Sequence, residues 1–401
     1  MTEYNIQEVM RKSSISGIVR LTNQKQRSFY PMRRKKLVTL IGSVCLMLAL
    51  VSLPFMAACP APAEDAEDEE GPPEVITLKV HSNHPGPPSS AGAAVQYFMD
   101  EVTKRTDGAI EFEVFWSNAL AGPADSLELA QKGVVDIICS CAMYWPGKFP
   151  INHFEYSFPF GPTDTELVVT AKRQMYDEFP QIAAQWTEYN CVFLGGITWG
   201  YYEVLSKTPA YTIEDFNGMK VGMIGRWFGK WFEPIGAVPV VCGAADRYVN
   251  MQSGVQDMDL LAVDMQYSNS LHEQAEYLIL IDAGSFVPND LVMNLDSFNN
   301  LSPEIQEILL EVGLDMEFYT AKYVKEVKDW SIEQMEAEGI IVIEFPVAER
   351  AKWASMLSDV PAELAQEMED AGYPGWEIQS RWQEITSALG YEWPREWAVK
   401  K

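Results

Sequence analysis

From Val75 onward the chain alternates between strand-type and helix-type hydrophobic patterning, and this alternation restricts its fold more than any other feature. Val75–Val80 (VITLKV) and Ile110–Phe115 (IEFEVF) read as strands, the second with apolar and polar residues in period two. Val134–Ser140 (VVDIICS) is a short apolar run of the kind that fills a sheet interior. Between them, Ser90–Thr106 and Ala124–Lys132 place apolar residues at helical spacing. Parallel neighbours cannot be joined by a tight turn, so a βαβαβ order predicts a parallel sheet with crossover helices.

A second unit of the same kind follows. Lys220–Ile224, Val238–Val241 and Asp257–Val263 read as strands, with helices over Trp227–Ile235 and Arg247–Ser253. Ser302-Pro303-Glu304 then opens a long helix, Ser302 as N-cap and Pro303 in the first helical position, with a pattern running to about Glu338. At 1.5 Å per residue such a helix is roughly 50 Å long, enough to lie across two lobes. The predicted fold is α/β, with two lobes on parallel or mixed sheets, joined by hinge strands and spanned by the long helix. Open α/β sheets bind ligands beyond the carboxyl ends of their strands, so the predicted site is the cleft between the lobes.

The segment before Val75 has a different character. A basic cluster, Met32-Arg33-Arg34-Lys35-Lys36, precedes an apolar run from Leu37 to Ala58 and then Cys59. This is the layout of a secretory signal, and Met56-Ala57-Ala58-Cys59 resembles the bacterial lipobox, whose cysteine is acylated and becomes the first mature residue. An uncleaved transmembrane anchor is the competing reading of the apolar run. Either way, the rest of the chain is expected in the periplasm or on the outer face of the cytoplasmic membrane. Residues 1–31 hold no apolar segment, and Met32 is an alternative start. Residues 1–58 are thus read as the signal region. Residues 59–74, with the acidic, Pro- and Ala-rich run Pro60–Glu74, are read as lipidated cysteine and tether.

Charge and side-chain chemistry exclude several functions. With 57 acidic and 30 basic residues the formal net charge is −27, which repels phosphate polyanions and argues against nucleic acid as a partner. Cys139, Cys141, Cys191 and Cys242 are too few for a disulfide framework in a domain this large and are expected as free thiols. Cys139 and Cys141 share a strand face but have no second pair to complete a zinc site, and His81 and His84 lack a third ligand. No metal or cofactor is expected. The nucleophile-elbow, zincin, P-loop and dinucleotide motifs are missing, which argues against an enzyme.

The ordered segments of 75–345 resemble the receptors of TRAP transporters, the DctP-type periplasmic binding proteins. The resemblance is carried by Gly133-Val134-Val135-Asp136, Phe158-Pro159-Phe160, Thr208-Pro209 and Ile213-Glu214-Asp215-Phe216-Asn217-Gly218-Met219-Lys220. It continues through Ile235-Gly236-Ala237-Val238-Pro239-Val240 and Tyr248-Val249-Asn250-Met251-Gln252-Ser253-Gly254-Val255-Gln256-Asp257. It implies a type II-like periplasmic binding fold, with lobe I in 75–199 and 288–327 and lobe II in 200–287 and 328–362. A C-terminal helical extension would occupy 363–401. It further implies a monomer that closes on a small-molecule solute and delivers it to the small and large membrane subunits of the transporter. A ligand-sensing module of a signalling system would use the same cleft and is the alternative.

The family's polar ligand positions are altered here. Its clamp arginine, two residues after the lysine of the Gly-Met-Lys segment, corresponds to Gly222. Two further polar positions correspond to Tyr202 and Leu261. These changes predict an organic acid with an apolar or aromatic body rather than a small dicarboxylate or sugar acid, and Gly222 is expected to leave room for it. The candidate contacts are Asn83 and His84 after the first strand, Tyr144, Trp145, Trp199, Tyr201 and Tyr202 at strand ends, Gly222, Leu261, and Arg226 as the nearby cation.

Overall fold

The computed structural model describes residues 75–152, 154–243 and 246–399. The signal region, Cys59, the acidic tether and His153 lie outside them. In chain order the strands are β1 Ile76–Ser82, β2 Ile110–Phe115, β3 Ile137–Cys141, β4 Cys191–Trp199, β5 Tyr202–Ser206 and β6 Lys220–Met223. They continue as β7 Val238–Val241, β8 Met258–Ala262, β9 Tyr277–Leu280, β10 Phe286–Asn294 and β11 Ile341–Glu344. They form two sheets, β2-β1-β3-β10-β4 and β11-β9-β5-β8-β6-β7. Both are mixed: β1, β2 and β3 are parallel with β10 antiparallel to β3 and β4, and β6, β7 and β8 are parallel with β5 antiparallel to β8 and β9.

Local chemistry sets most element ends. Ser89 Oγ accepts the Gly92 N–H at the start of the Ser90–Arg105 helix, and Ser302 Oγ accepts that of Ile305 at the start of Pro303–Ala337. The helix beginning at Trp227 stops at Phe232 and tightens into a 3-10 turn over Glu233–Ile235, where Pro234 has no N–H to donate. β3 starts at Ile137 rather than Val134, because Gly133 turns the chain with φ +66° and leaves Val134 about half exposed.

The chain crosses between the sheets three times. β4 runs into β5 through Gly200-Tyr201, β9 into β10 through residues 281–285, and the Pro303–Ala337 helix joins β10 to β11. The two strand crossings are tied together: Tyr202 N donates to Gly284 O at 3.0 Å, Ala283 N to Tyr202 O at 3.2 Å, and Tyr201 N to Ser285 Oγ at 3.0 Å. The long helix packs on β4 and on the Ser90–Arg105 helix of the first sheet, and on the Val263–Ser268 helix beside the second. Its backbone meets that of β4 so closely that a Cβ on Gly313 would lie 2.1 Å from Leu194 O.

The C-terminal helices Val347–Met356, Val360–Asp370 and Gly375–Ala388 hold both halves. Trp353 packs against Phe216 and Phe232 beside the second sheet and against Phe160 from the first. Gln379 bonds Ser157, Arg381 pairs with Glu178 at 2.6 Å, and Tyr391 donates to Phe160 O. Cys139, Cys141 and Cys191 are buried free thiols and Cys242 a half-buried one. No helix among the described residues is long and apolar enough to cross a membrane.

Candidate ligand-binding cleft

The loop after β3 faces the carboxyl ends of β6 and β7 across a cavity of about 430 Å³. Met143, Tyr144, Pro146 and Pro150 form one wall. The opposite wall is Ile224–Trp227 and Val241–Gly243, and Leu364, Glu367 and Met368 of the Val360–Asp370 helix roof it. The lining is largely apolar. Arg226, with its side chain 57% exposed, lies over the Trp227 ring at 4.4 Å and makes a two-armed pair with Glu367. An ion pair this wet contributes less than about 1 kcal/mol.

The other predicted contacts are distributed around this cavity. Tyr144 lines it, whereas the adjacent Trp145 points into a packing cluster with Phe149 and Trp186 and donates its Nε1 proton to Ala124 O at 2.8 Å. Tyr201 sits at the strand crossing with φ +58°, and the Lys328 ammonium stands 4.5 Å from its ring. Leu261 is buried in β8 opposite Glu203. The space beside Gly222 is not open: a Cβ there would lie 2.3 Å from Gln256 Oε1. The expected volume is filled by the Gln256 amide, which donates to Asp259 Oδ2 at 2.8 Å and accepts from Cys242 Sγ at 3.5 Å.

A second group of side chains meets in the buried core, outside the cavity lining. His84 contacts the Trp199 ring edge-on at 4.9 Å and donates from Nε2 to Asn289 Oδ1 at 3.2 Å. Burial lowers the His84 pKa to about 4, so the ring is neutral at physiological pH. Phe286 joins this group to two phenols, stacking on Tyr156 at 4.8 Å and meeting Tyr202 at 4.9 Å. Asn83 is already satisfied, donating to His81 Nε2 and Asn118 Oδ1 and accepting from Ser140 Oγ at 2.6 Å. By contrast, His84 Nδ1, Trp199 Nε1, Asn289 Nδ2 and the Tyr156 and Tyr202 hydroxyls are buried without a hydrogen-bond partner of good geometry. Leaving such a group unpaired costs roughly 1–3 kcal/mol; acceptor oxygens of a solute would suit Trp199 Nε1, Asn289 Nδ2 and the hydroxyls, whereas His84 Nδ1, with the proton on Nε2, is itself an acceptor.

Tyr156 and Asn289 were not among the residues singled out from sequence. Tyr156 lies in a 3-10 turn and Asn289 in the middle of β10, next to a register shift after Phe286. The Phe158-Pro159-Phe160 segment marked the neighbourhood of Tyr156, but nothing local marked Asn289. Among the described residues, no group of three or more His, Cys, Asp or Glu side chains comes together to hold a metal ion.

Two mixed sheets, three crossings between them and a cavity between facing strand ends define a two-lobed solute-binding protein. The sequence matches the model of bacterial extracellular solute-binding protein family 7 (DctP) over residues 81–367, and the chain belongs to that family. It is a receptor of the TRAP-transporter type, a periplasmic family. The C4-dicarboxylate-binding periplasmic protein DctP of Rhodobacter capsulatus is 24% identical over 342 residues, 84% of this chain and 95% of the relative. A TRAP solute-binding protein of Rhodoferax ferrireducens, solved with copurified benzoate, superposes with a TM-score of 0.71 at 22% identity, covering 78% of this chain and 98% of that one. A marine-metagenome TRAP protein specific for aromatic acid ligands, solved with metahydroxyphenylacetate, gives 0.70 at 22% identity, covering 79% and 100%.

Proposed function

We propose that the chain captures an organic acid with an apolar or aromatic body and delivers it to the small and large membrane subunits of a TRAP transporter. The observation that carries this reading is the largely apolar cavity between facing strand ends, with Tyr144 and Trp227 in its lining; buried donors on Trp199 and Asn289, in the core outside that lining, lack partners. Apolar walls favour a solute with surface to bury, at about 25 cal/mol per Å². Neutral donors satisfy one carboxylate better than the two of a strongly hydrated diacid, for which Gly222, Tyr202 and Leu261 offer no charged partner. The aromatic acids in two of the similar structures support the same choice. A thermal-shift screen with benzoate, 3-hydroxyphenylacetate, succinate and their amides tests it. Stabilisation by the aromatic acids is the expected result, and stabilisation by succinate alone refutes it.

Tethering through acylated Cys59 belongs to the same proposal and rests on Met56-Ala57-Ala58-Cys59 after the apolar run. Cys59→Ser should leave a longer, unacylated precursor. Normal processing of that variant would remove the tether from the scheme.

A further inference from the structure

We propose that Arg247, rather than Arg226, is the cation that receives the solute carboxylate, an assignment that rests on the acid reading above. Arg247 opens the Arg247–Ser253 helix and is 2% exposed. Its Nη1 donates to Asp259 Oδ1 at 2.7 Å and to Leu260 O at 3.1 Å. No hydrogen bond among the described residues uses Nε or Nη2. A guanidinium carries five N–H donors in a rigid fork, and one removed from water needs acceptors for all of them. Asp259 and Leu260 occupy one arm. The other edge has the geometry that grips a carboxylate with two parallel bonds.

Its position fits that role. Burial pushes the Cys242 thiol up and the Arg247 charge pulls it partly back, and the same two effects act on the Tyr202 phenol. Cys242 lines the cavity, while Tyr202 carries one of the unpaired hydroxyls. Cys242 Sγ also donates to Gln256 Oε1 at 3.5 Å, which joins the cavity wall to the Arg247 site through hydrogen bonds. Gln256 links this arrangement to the vacant clamp position: its side chain fills the space beside Gly222 and donates to Asp259 Oδ2, while Asp259 Oδ1 holds Arg247. The positive charge missing from β6 is thus supplied from the neighbouring helix, oriented by Asp259. Arg226 is exposed and already bound by Glu367, so a carboxylate there gains only a screened contact.

The test is calorimetric titration of the purified full chain with benzoate, 3-hydroxyphenylacetate and succinate, each against its amide. Removing Arg247 alone would strand the Asp259 carboxylate, so the variant is Arg247→Met with Asp259→Leu, accompanied by Arg247→Lys and Arg226→Ala. All are checked for folding by circular dichroism. The proposal expects the double variant to weaken the best acid at least about 30-fold. Arg247→Lys should recover part of that loss and Arg226→Ala should change binding less than about threefold. Undiminished acid binding by the folded double variant refutes Arg247 while leaving the acid reading intact. So does a loss that Arg247→Lys does not relieve. If the parent protein prefers no acid over its amide, the acid reading fails and Arg247 falls with it.

Discussion

Asp264 Oδ2 accepts the backbone N–H of Ser90 at 2.8 Å, with both residues buried. Asp264 follows β8 of the second sheet, and Ser90 is the first residue of a helix packed on the first sheet. The helix N-terminus and the Ser90 N–H favour the carboxylate, but burial outweighs them and raises the Asp264 pKa, so the bond ties the two halves at a cost in desolvation. Tyr323 of the long helix donates to Pro88 O beside it. Asp264→Ala should weaken solute binding about 5–10-fold, the equivalent of one charge-assisted hydrogen bond, and enlarge the solute-bound radius of gyration. Titration calorimetry and small-angle scattering measure the two effects.

The contact between the long helix and β4 leaves no room for a side chain. Gly313→Ala would place its methyl 2.1 Å from Leu194 O, and the helix would have to lift from the strand. The expected loss is roughly 3 kcal/mol, read as a lower urea midpoint.

Asp290 gives the fold a pH dependence. Burial is the main cause that raises its pKa to about 7, with Glu155 adding to the rise and Lys172 opposing it. In the unfolded chain the group titrates near 4. Between these values the folded protein keeps a proton that the unfolded chain has released. The contribution of Asp290 to stability is therefore greatest below about pH 4, falls as pH rises towards 7, and levels off above it. Asp290→Asn should flatten the melting temperature between pH 4 and 8, and exceed the parent protein only at the alkaline end.

The hydroxyl of Tyr202, held only by a poorly aligned contact with Tyr156, separates solute binding from stability. Tyr202→Phe removes only a poorly aligned contact with the Tyr156 hydroxyl, so the free protein should melt within a degree or two of the parent. Solute binding should weaken by about 1 kcal/mol, because the solute loses a hydrogen bond. Trp199→Ala, which removes a buried donor and the ring that His84 packs against, should weaken it by roughly 1–3 kcal/mol. Parallel calorimetry and thermal melts separate these cases from general destabilisation.

Much of the architecture was legible because it is encoded over short distances. The strands Ile110–Phe115 and Val238–Val241 and the helix Arg247–Ser253 have the bounds their patterns predict, and the long helix ends within a residue of its expected limit. β10 was missed. Its sequence, FVPNDLVMN, carries Pro288, Asn289 and Asp290 and reads as a turn, yet every residue is buried. Trp186 Nε1 and His84 satisfy polar groups that would otherwise forbid a central strand there.

The candidate site divides along the same line. Hydrophobic period, capping residues and turn glycines act within a few residues, so the sequence by itself determined two α/β units, the spanning helix and the segments that reach the cleft. Only the tertiary structure decided which side chains meet inside it. Tyr144 and Trp145 are neighbours in the chain, and one lines the cavity while the other packs away from it. Arg226 pairs with Glu367, 141 residues away, and Gln256 fills the space that Gly222 was expected to leave. Such contacts depend on how strands from distant parts of the chain pair and how the C-terminal helices close over both sheets. No local pattern records that geometry, because each partner's own neighbours are compatible with many positions.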